Sequence, residues 1–235
     1  MMMKKVQTAL LLSMIFLFTN AFCQTTGLGS GKVKDAKKTA KTYLDLMINV
    51  ESTNLNYGSS NSALADYKKP VKGIQAGMSF QAGVTPRLSL VSELYFMKKG
   101  GKLTINNPLS ADESTLRLYT IELPVLARFH FGNFYLNAGP SIAYNLGGSY
   151  KIGKASNAIS FRNSSEGFKR LDAGIQAGGG YMFQIKEKRL ALDMKYNYGL
   201  TNISYGREIH NRGLIISVLF SKPWKRNPLG NYKDR

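Results

Sequence analysis

The chain has 235 residues, a formal net charge of +18 and one cysteine, Cys23. One domain is the natural expectation for that length, and a lone thiol excludes both a disulfide framework and a thiolate metal site. The charge calls for a polyanionic partner, such as nucleic acid or anionic lipid headgroups.

Residues 1–23 read as a secretory signal peptide. Lys4 and Lys5 precede the apolar run Ala9 to Phe18, and Ala21-Phe22-Cys23 has the form of a small-x-small cleavage site. Export argues against nucleic acid as partner, and the sequence has no RNA-binding signature or zinc-finger spacing. Removing Lys4 and Lys5 takes the charge from +18 to +16. After residue 23 there is no apolar run of the roughly 20 residues that a membrane helix needs. A membrane protein of this sequence would have to cross as strands.

Residues 24–41 form a basic leader ending in Lys32, Lys34, Lys37, Lys38 and Lys41. A first strand is expected over 42–52, where Leu44, Leu46, Ile48 and Val50 alternate with Asp45, Asn49 and Glu51. Ala36, Ala40, Leu44 and Met47 also fit a helical spacing, so a short helix is the alternative there. A polar connection over 53–69 leads to a second strand over 71–83, with Ile74, Ala76, Met78, Phe80 and Ala82 on one face. Thr85-Pro86-Arg87 turns into a third strand, 88 to about 105, and a loop carrying Asn106, Pro108, Asp112 and Glu113 follows.

The clearest pattern runs from Leu116 to Tyr150. Before Gly132-Asn133 the apolar row is Tyr119, Ile121, Leu123, Val125, Ala127, Phe129 and Phe131; after it, Phe134, Leu136, Ala138, Ile142, Tyr144 and Leu146. A period of two on both sides of a Gly-Asn pair predicts a tight hairpin. A polar, basic stretch to about Gly167 precedes a sixth strand over 168–185. The charged turn Lys186-Glu187-Lys188-Arg189 leads to a seventh over 190–203, and an eighth covers 212–220.

The links after strands one, three, five and seven are roughly 8 to 18 residues, and those after two, four and six roughly 2 to 4, as in bacterial outer-membrane barrels. The expected fold is all-β, an eight-stranded antiparallel up-and-down transmembrane β-barrel over residues 42–221, with a basic periplasmic leader (24–41) and tail (222–235). An even strand count puts both termini in the periplasm. The polar row is rich in glycine (Gly73, Gly77, Gly139, Gly174, Gly178, Gly180, Gly199), which suits a narrow interior, so the bulky apolar row should face lipid. Two aromatic girdles are expected: Phe129, Phe131, Phe134, Tyr181, Phe183, Phe220 and Trp224 toward the periplasm, and Tyr119, Tyr144, Phe168, Tyr196 and Tyr198 toward the outside. A soluble periplasmic ligand-binding barrel, with its apolar row turned inward, is the alternative.

The segments Leu90 to Gly101 (LVSELYFMKKGG), Tyr119 to Arg128 (YTIELPVLAR) and Leu136 to Tyr144 (LNAGPSIAY), with the signal ending in Cys23-Gln24, resemble the PorT-like outer-membrane β-barrel family of Bacteroidetes. The resemblance implies a barrel, the outer-membrane compartment and an accessory role in the secretion apparatus of that phylum through the periplasmic termini. It specifies no ligand. The basic segment after Phe220 departs from barrels that end near an aromatic residue.

The polar row also carries Asp45, Glu51, Glu93, Glu122, Arg128, Arg170, Asp172, Asp193 and Lys195. Unpaired charges in a narrow lumen are costly, so cross-strand ion pairs are expected, with Glu93, Glu122 and Arg128 at the centre of a structural plug. A small selective pore is the alternative. Pro124 should force a bulge in its strand. His130 is placed near the periplasmic end, and His210 in an outer loop beside Glu208. No nucleophile elbow, phosphate loop or metal spacing accompanies them, so no catalytic, cofactor or metal residue is expected and the protein is read as non-enzymatic. Lys68, Lys69, Lys98, Lys99, Lys102, Lys151, Lys154, Arg162 and Arg207 are assigned to outer loops, facing lipopolysaccharide phosphates.

Overall fold

Strands form where apolar and polar residues alternate, because a period of two gives a pleated ribbon one oily face and one wet face. The computed structural model describes residues 42–185 and 188–223. It contains β1 (Tyr43–Tyr57), β2 (Lys68–Gly83), β3 (Leu88–Leu103), β4 (Ser114–Phe131), β5 (Phe134–Ile152), β6 (Ala155–Ala158), β7 (Leu171–Ile185), β8 (Lys188–Gly199) and β9 (Ile209–Pro223). A 3-10 helix, Ser59–Tyr67, lies between β1 and β2. The segments expected as signal peptide and leader, and all but the first two residues of the expected basic tail, Trp224 included, fall outside the described residues.

Eight strands form the wall, in the order β4-β3-β2-β1-β9-β8-β7-β5, and β4 pairs with β5 to close it. Every pairing is antiparallel, and the closing seam between β1 and β9 runs from Tyr43 opposite Pro223 to Tyr57 opposite Ile209. Each wall strand has two neighbours, so no row of backbone N–H and C=O groups is left at an edge, the condition for lying in hydrocarbon. β6 is a short hairpin folded back on the end of β5, outside the wall.

The hairpin at Gly132-Asn133 is as tight as its sequence suggests, with Phe131 opposite Phe134. Gly132 has φ +66°, and Asn133 is not among the positive-φ residues. Positive φ at the first central position alone is the type II′ pattern. The other short links join β2 to β3 and Ile185 to Lys188; the long ones follow β1, β3, β5 and β8.

Which way the rows face is settled by exposure. Leu46 is 65% exposed and Ile74 79%, whereas Arg128, Glu122 and Asp45 are each at 0%. The apolar row is therefore the outside, as in a transmembrane barrel, and the charged row is the interior. A lipocalin-like barrel would show the reverse.

Several boundaries differ from the sequence reading. β1 runs on to Tyr57 and β2 starts at Lys68, so the expected polar connection is partly strand and partly 3-10 helix. β7 begins at Leu171 and β8 ends at Gly199. β9 extends from Ile209 to Pro223, which takes His210 out of the outer loop and into a strand. Pro124 causes no bulge: the ladder keeps one register from Ser92–Val125 to Tyr95–Glu122 on one side, and from Pro124–Ser141 to Ala127–Ala138 on the other. One missing N–H is tolerated there because its neighbours stay paired. The register shifts occur instead between Tyr119 and Thr120, and between Pro70 and Ala76.

Candidate functional site in the barrel lumen

The inward row brings charges of both signs to the barrel axis. Among the described residues the buried carboxyls are Asp45, Glu51, Glu93, Glu122, Asp172 and Asp193, and the buried cations are Lys99, Arg128, Arg189 and Lys195. Carboxyls outnumber cations, so some must share a cation or rely on neutral donors.

Toward the short-link end, one chain of contacts crosses the lumen. The Arg189 guanidinium pairs with both oxygens of Asp45 and donates to Gln81 Oε1 at 2.9 Å. Gln81 Oε1 also accepts from Arg128 Nη1 at 3.1 Å, and Arg128 Nη2 reaches Asp193 Oδ2 at 3.2 Å. Asp193 accepts further bonds from Tyr135 Oη at 3.0 Å and Asn137 Nδ2 at 2.9 Å. Each arginine lies over a tyrosine ring, Arg128 at 4.0 Å from the Tyr135 centroid and Arg189 at 3.6 Å from that of Tyr43. β1, β2, β4, β5 and β8 are thereby tied together through side chains.

In the middle of the barrel, Lys195 pairs with Glu93. Lys99 lies 2.6 Å from Glu122 and 3.5 Å from Asp172, so two carboxylates share one ammonium. Asp172 is completed by Asn211 Nδ2 at 2.7 Å and Thr201 Oγ1 at 2.8 Å. Gln176 Nε2 donates to Glu122 Oε1 at 2.8 Å and contacts Tyr95 Oη at 2.7 Å. Glu51 is held by neutral donors, Gln75 Nε2 and the Lys98 backbone N–H.

The inward glycines make room for these groups. Gly180 is opposite Tyr135 and Gly77 opposite Tyr95 in the ladder. A Cβ on Gly180 would stand 2.4 Å from Tyr135 Oη, and one on Gly77 2.5 Å from Tyr95 Cβ. The tyrosines can fold across the narrow lumen because their cross-strand partners have no side chain.

Toward the long-link end the inward row turns apolar. Leu55, Leu116, Leu118, Ile203 and Ile209 cluster there, with Tyr57, Tyr150, Ile159 and Phe168 against them. They surround part of an open cavity of about 470 Å³ whose rim includes Glu166 and Arg207.

Of the residues assigned to the lumen from sequence, Glu93, Glu122, Arg128, Asp172, Asp193 and Lys195 lie in it. Arg170 does not. Its parity points inward, but β7 starts one residue later, at Leu171; Arg170 is exposed, with its guanidinium over Phe161 (4.2 Å) and Tyr144 (5.8 Å). Lys99, assigned to an outer loop, is buried on the axis, and Arg189, assigned to a turn, is the partner of Asp45. Both could have been found by extending the alternation: Lys99 shares parity with Glu93, and Arg189 with Asp193. Phe168 belongs to the apolar cluster rather than to a lipid-facing girdle. His130 Nε2 lies 2.9 Å from Ser89 Oγ, and His210 Nε2 lies 3.5 Å from Glu208 Oε1. No group of three potential metal ligands occurs among the described residues.

A family model described as an outer membrane protein beta-barrel domain matches residues 38–205. The chain belongs to that family. Several solved outer-membrane proteins are similar to this barrel at low identity. Neisserial surface protein A, from Neisseria, is 13% identical, with a TM-score of 0.45 over 75% of this chain and 95% of that one. OprG of Pseudomonas aeruginosa is 11% identical, with a TM-score of 0.45 over 81% and 98%. Ail of Yersinia pestis, solved in complex with the heparin analogue sucrose octasulfate, is 7% identical, with a TM-score of 0.41 over 78% and 99%. No curated protein matches the sequence. Membership of that family assigns the chain to the bacterial outer membrane.

Proposed function

We propose that this outer-membrane barrel is a plugged, non-enzymatic structural or interaction component whose lumen is closed by its own ion pairs. The observation that carries this reading is the unbroken contact chain Asp45–Arg189–Gln81–Arg128–Asp193, which runs through the interior from β1 to β8, on to β2 and β4, and back to β8. The Glu93–Lys195 pair and the Lys99 triad fill the lumen beyond it. An eight-stranded barrel leaves little more than side-chain volume inside, and here that volume is occupied by buried groups among which all the carboxyls but Glu51 already hold a cation. Planar-bilayer recording from the purified barrel should show no stable open current; sizeable, long-lived openings would sink the plug in favour of a selective pore.

The interaction half of the proposal concerns the envelope. The resemblance to PorT-like barrels supports an accessory role in secretion, and the start of β1 and the end of β9, from which the leader and tail continue, share the short-link side with the periplasmic turns. Crosslinking of the tagged protein in intact outer membranes should capture other envelope or secretion proteins in a leader- and tail-dependent way. Equal capture after removal of both segments would reject the periplasmic route.

A further inference from the structure

The lipid-facing rows end differently at the two rims. At the long-link end, the outward residue next beyond the apolar row is a cation on four wall strands: Lys72 beyond Ile74 on β2, Lys98 beyond Phe96 on β3, Arg117 beyond Tyr119 on β4 and Arg212 beyond Leu214 on β9. A fifth rim cation, Arg170, is exposed in the link just before Leu171, the first residue of β7. At the short-link end the rows run out in Phe129, Phe131, Phe134, Phe183 and Ile185, with Lys188 over the Phe220 ring at 5.4 Å.

Three of the five rim cations are held by lipid-facing tyrosines. Arg212 lies 3.5 Å from the Tyr198 ring centroid, Lys98 5.5 Å from Tyr119, and Arg170 5.8 Å from Tyr144. Arg170 also donates to the carbonyls of Asn145 and Leu146, at 3.2 and 3.4 Å, and Arg212 to those of Gly199 and Asn211. A cation resting on a ring face keeps its charge and loses side-chain freedom, so an incoming anion has less ordering to impose. Among the described residues none of the five forms an ion pair, whereas Lys102, set farther from the apolar row, pairs with Glu113 at 3.0 Å.

We infer that Lys72, Lys98, Arg117, Arg170 and Arg212 form a collar that binds the phosphate groups of the outer-leaflet glycolipid. The position of the cations selects a lipid over a soluble anion. Each directly adjoins an apolar row that hydrocarbon must cover, so an anion that meets the collar is best supplied by the molecule whose acyl chains cover that row. The tyrosines sit between the two, where amphipathic rings favour the headgroup level. The inference rests on the outer-membrane reading above and adds to it a named site and a ligand chemistry.

The test uses the full-length barrel purified in detergent and reconstituted with diphosphoryl lipid A, with retained lipid counted by native mass spectrometry. The collar variant is Lys98→Gln/Arg170→Gln/Arg212→Gln. Its control, Lys154→Gln/Arg162→Gln/Arg207→Gln, removes the same charge from the links. At roughly a fivefold contribution per cation near an anionic surface, the collar variant should hold lipid A about tenfold or more weakly, while the link variant stays near the parent. The parent should prefer diphosphoryl lipid A to its dephosphorylated form, and the collar variant should lose that preference. Equal retention by the collar and link variants, or equal binding of both lipid forms by the parent, overturns the collar. Displacement by millimolar inorganic phosphate also overturns it, by showing a site for the free anion. Heat-modifiable gel mobility reports folding, and the exposed pair Lys72→Glu/Arg117→Glu gives the same readout if the triple variant does not fold. A mature protein that is freely soluble and not heat-modifiable would instead refute the membrane reading itself, a separate result.

Discussion

The two ends of the lumen are built from the same strands and hold opposite chemistry. Toward the short links the inward row is Asp45, Gln81, Arg128, Arg189 and Asp193, all buried and joined by hydrogen bonds. Toward the long links it is Leu55, Leu116, Leu118 and Ile209, joined by Ile203 and Phe168 from the links. Where the wall is sheathed in hydrocarbon, apolar side chains inside would gain little, because lipid outside is equally apolar. Directional polar contacts are what can fix one strand against another there. Beyond the bilayer, where the strands rise toward water, the ordinary hydrophobic effect returns and an apolar cluster can hold the links down.

The sharpest way to break that contrast is to unpair one buried charge. Arg189→Met leaves Asp45 without its cation and Gln81 with one donor fewer, so unfolding should become easier by about 3–5 kcal/mol, the usual cost of a buried charge left alone. Adding Asp45→Asn should restore part of the loss, because the stranded charge is gone. The measurement is urea-induced unfolding in lipid vesicles, followed by tryptophan fluorescence and heat-modifiable mobility. A double variant no better than the single one would show that Arg189 acts through packing on Tyr43 rather than through charge.

How much of this was legible beforehand follows from the same contrast. The alternation in β2, β4, β5 and β8 fixed which residues face lipid, because each of those rows is uninterrupted and one register slip would have reversed it. Glu93, Glu122, Arg128 and Asp193 were legible as inward for the same reason. Their partners were harder to see. Lys99 follows Lys98 and precedes Gly100-Gly101, so it reads as the start of a loop, although β3 continues to Leu103. Arg189 stands in a run of charges that reads as a turn, although β8 already begins at Lys188 and the parity of Asp193 reaches back to it. Arg170 shows the opposite failure, since parity pointed inward but the strand had not yet begun. Pairing between residues far apart in sequence, such as Asp45 with Arg189, depends on closure of the barrel and is not written in either segment. The apolar cluster at the long-link end was missed because Phe168 and Ile203 lie beyond the strand ends, where alternation has no meaning.

The second test acts on the apolar end. Leu118 is fully buried in that cluster, and Leu118→Ala removes methyl groups from a site ringed by Leu116, Ile203 and Ile209. A loss of about 2–5 kcal/mol is usual for such a change, with the low end expected here because the neighbouring open cavity lets the cluster relax. The effect should be local: outer links cleaved faster by an external protease, while the unfolding midpoint of the wall moves less than in Arg189→Met. Equal shifts in both variants would mean that the two ends unfold as one unit and that the contrast has no thermodynamic content.

The smallest effect is expected where a charge pair lies outside the lumen altogether. Lys102 and Glu113 stand 3.0 Å apart, and their side chains are 33% and 48% exposed. Water already solvates both groups, so bringing them together gains little Coulomb energy and costs side-chain freedom, and pairs of this kind contribute about 0–1 kcal/mol. Lys102→Ala should therefore leave the unfolding midpoint nearly unchanged, and any small shift should vanish in high salt. The same salt should leave the Arg189→Met deficit intact, because the Asp45 carboxylate is sealed from solvent and mobile ions cannot reach it. If salt instead erased the deficit of the buried variant, the lumen would be open to ions, and the plug would fail on thermodynamic grounds independently of any conductance measurement.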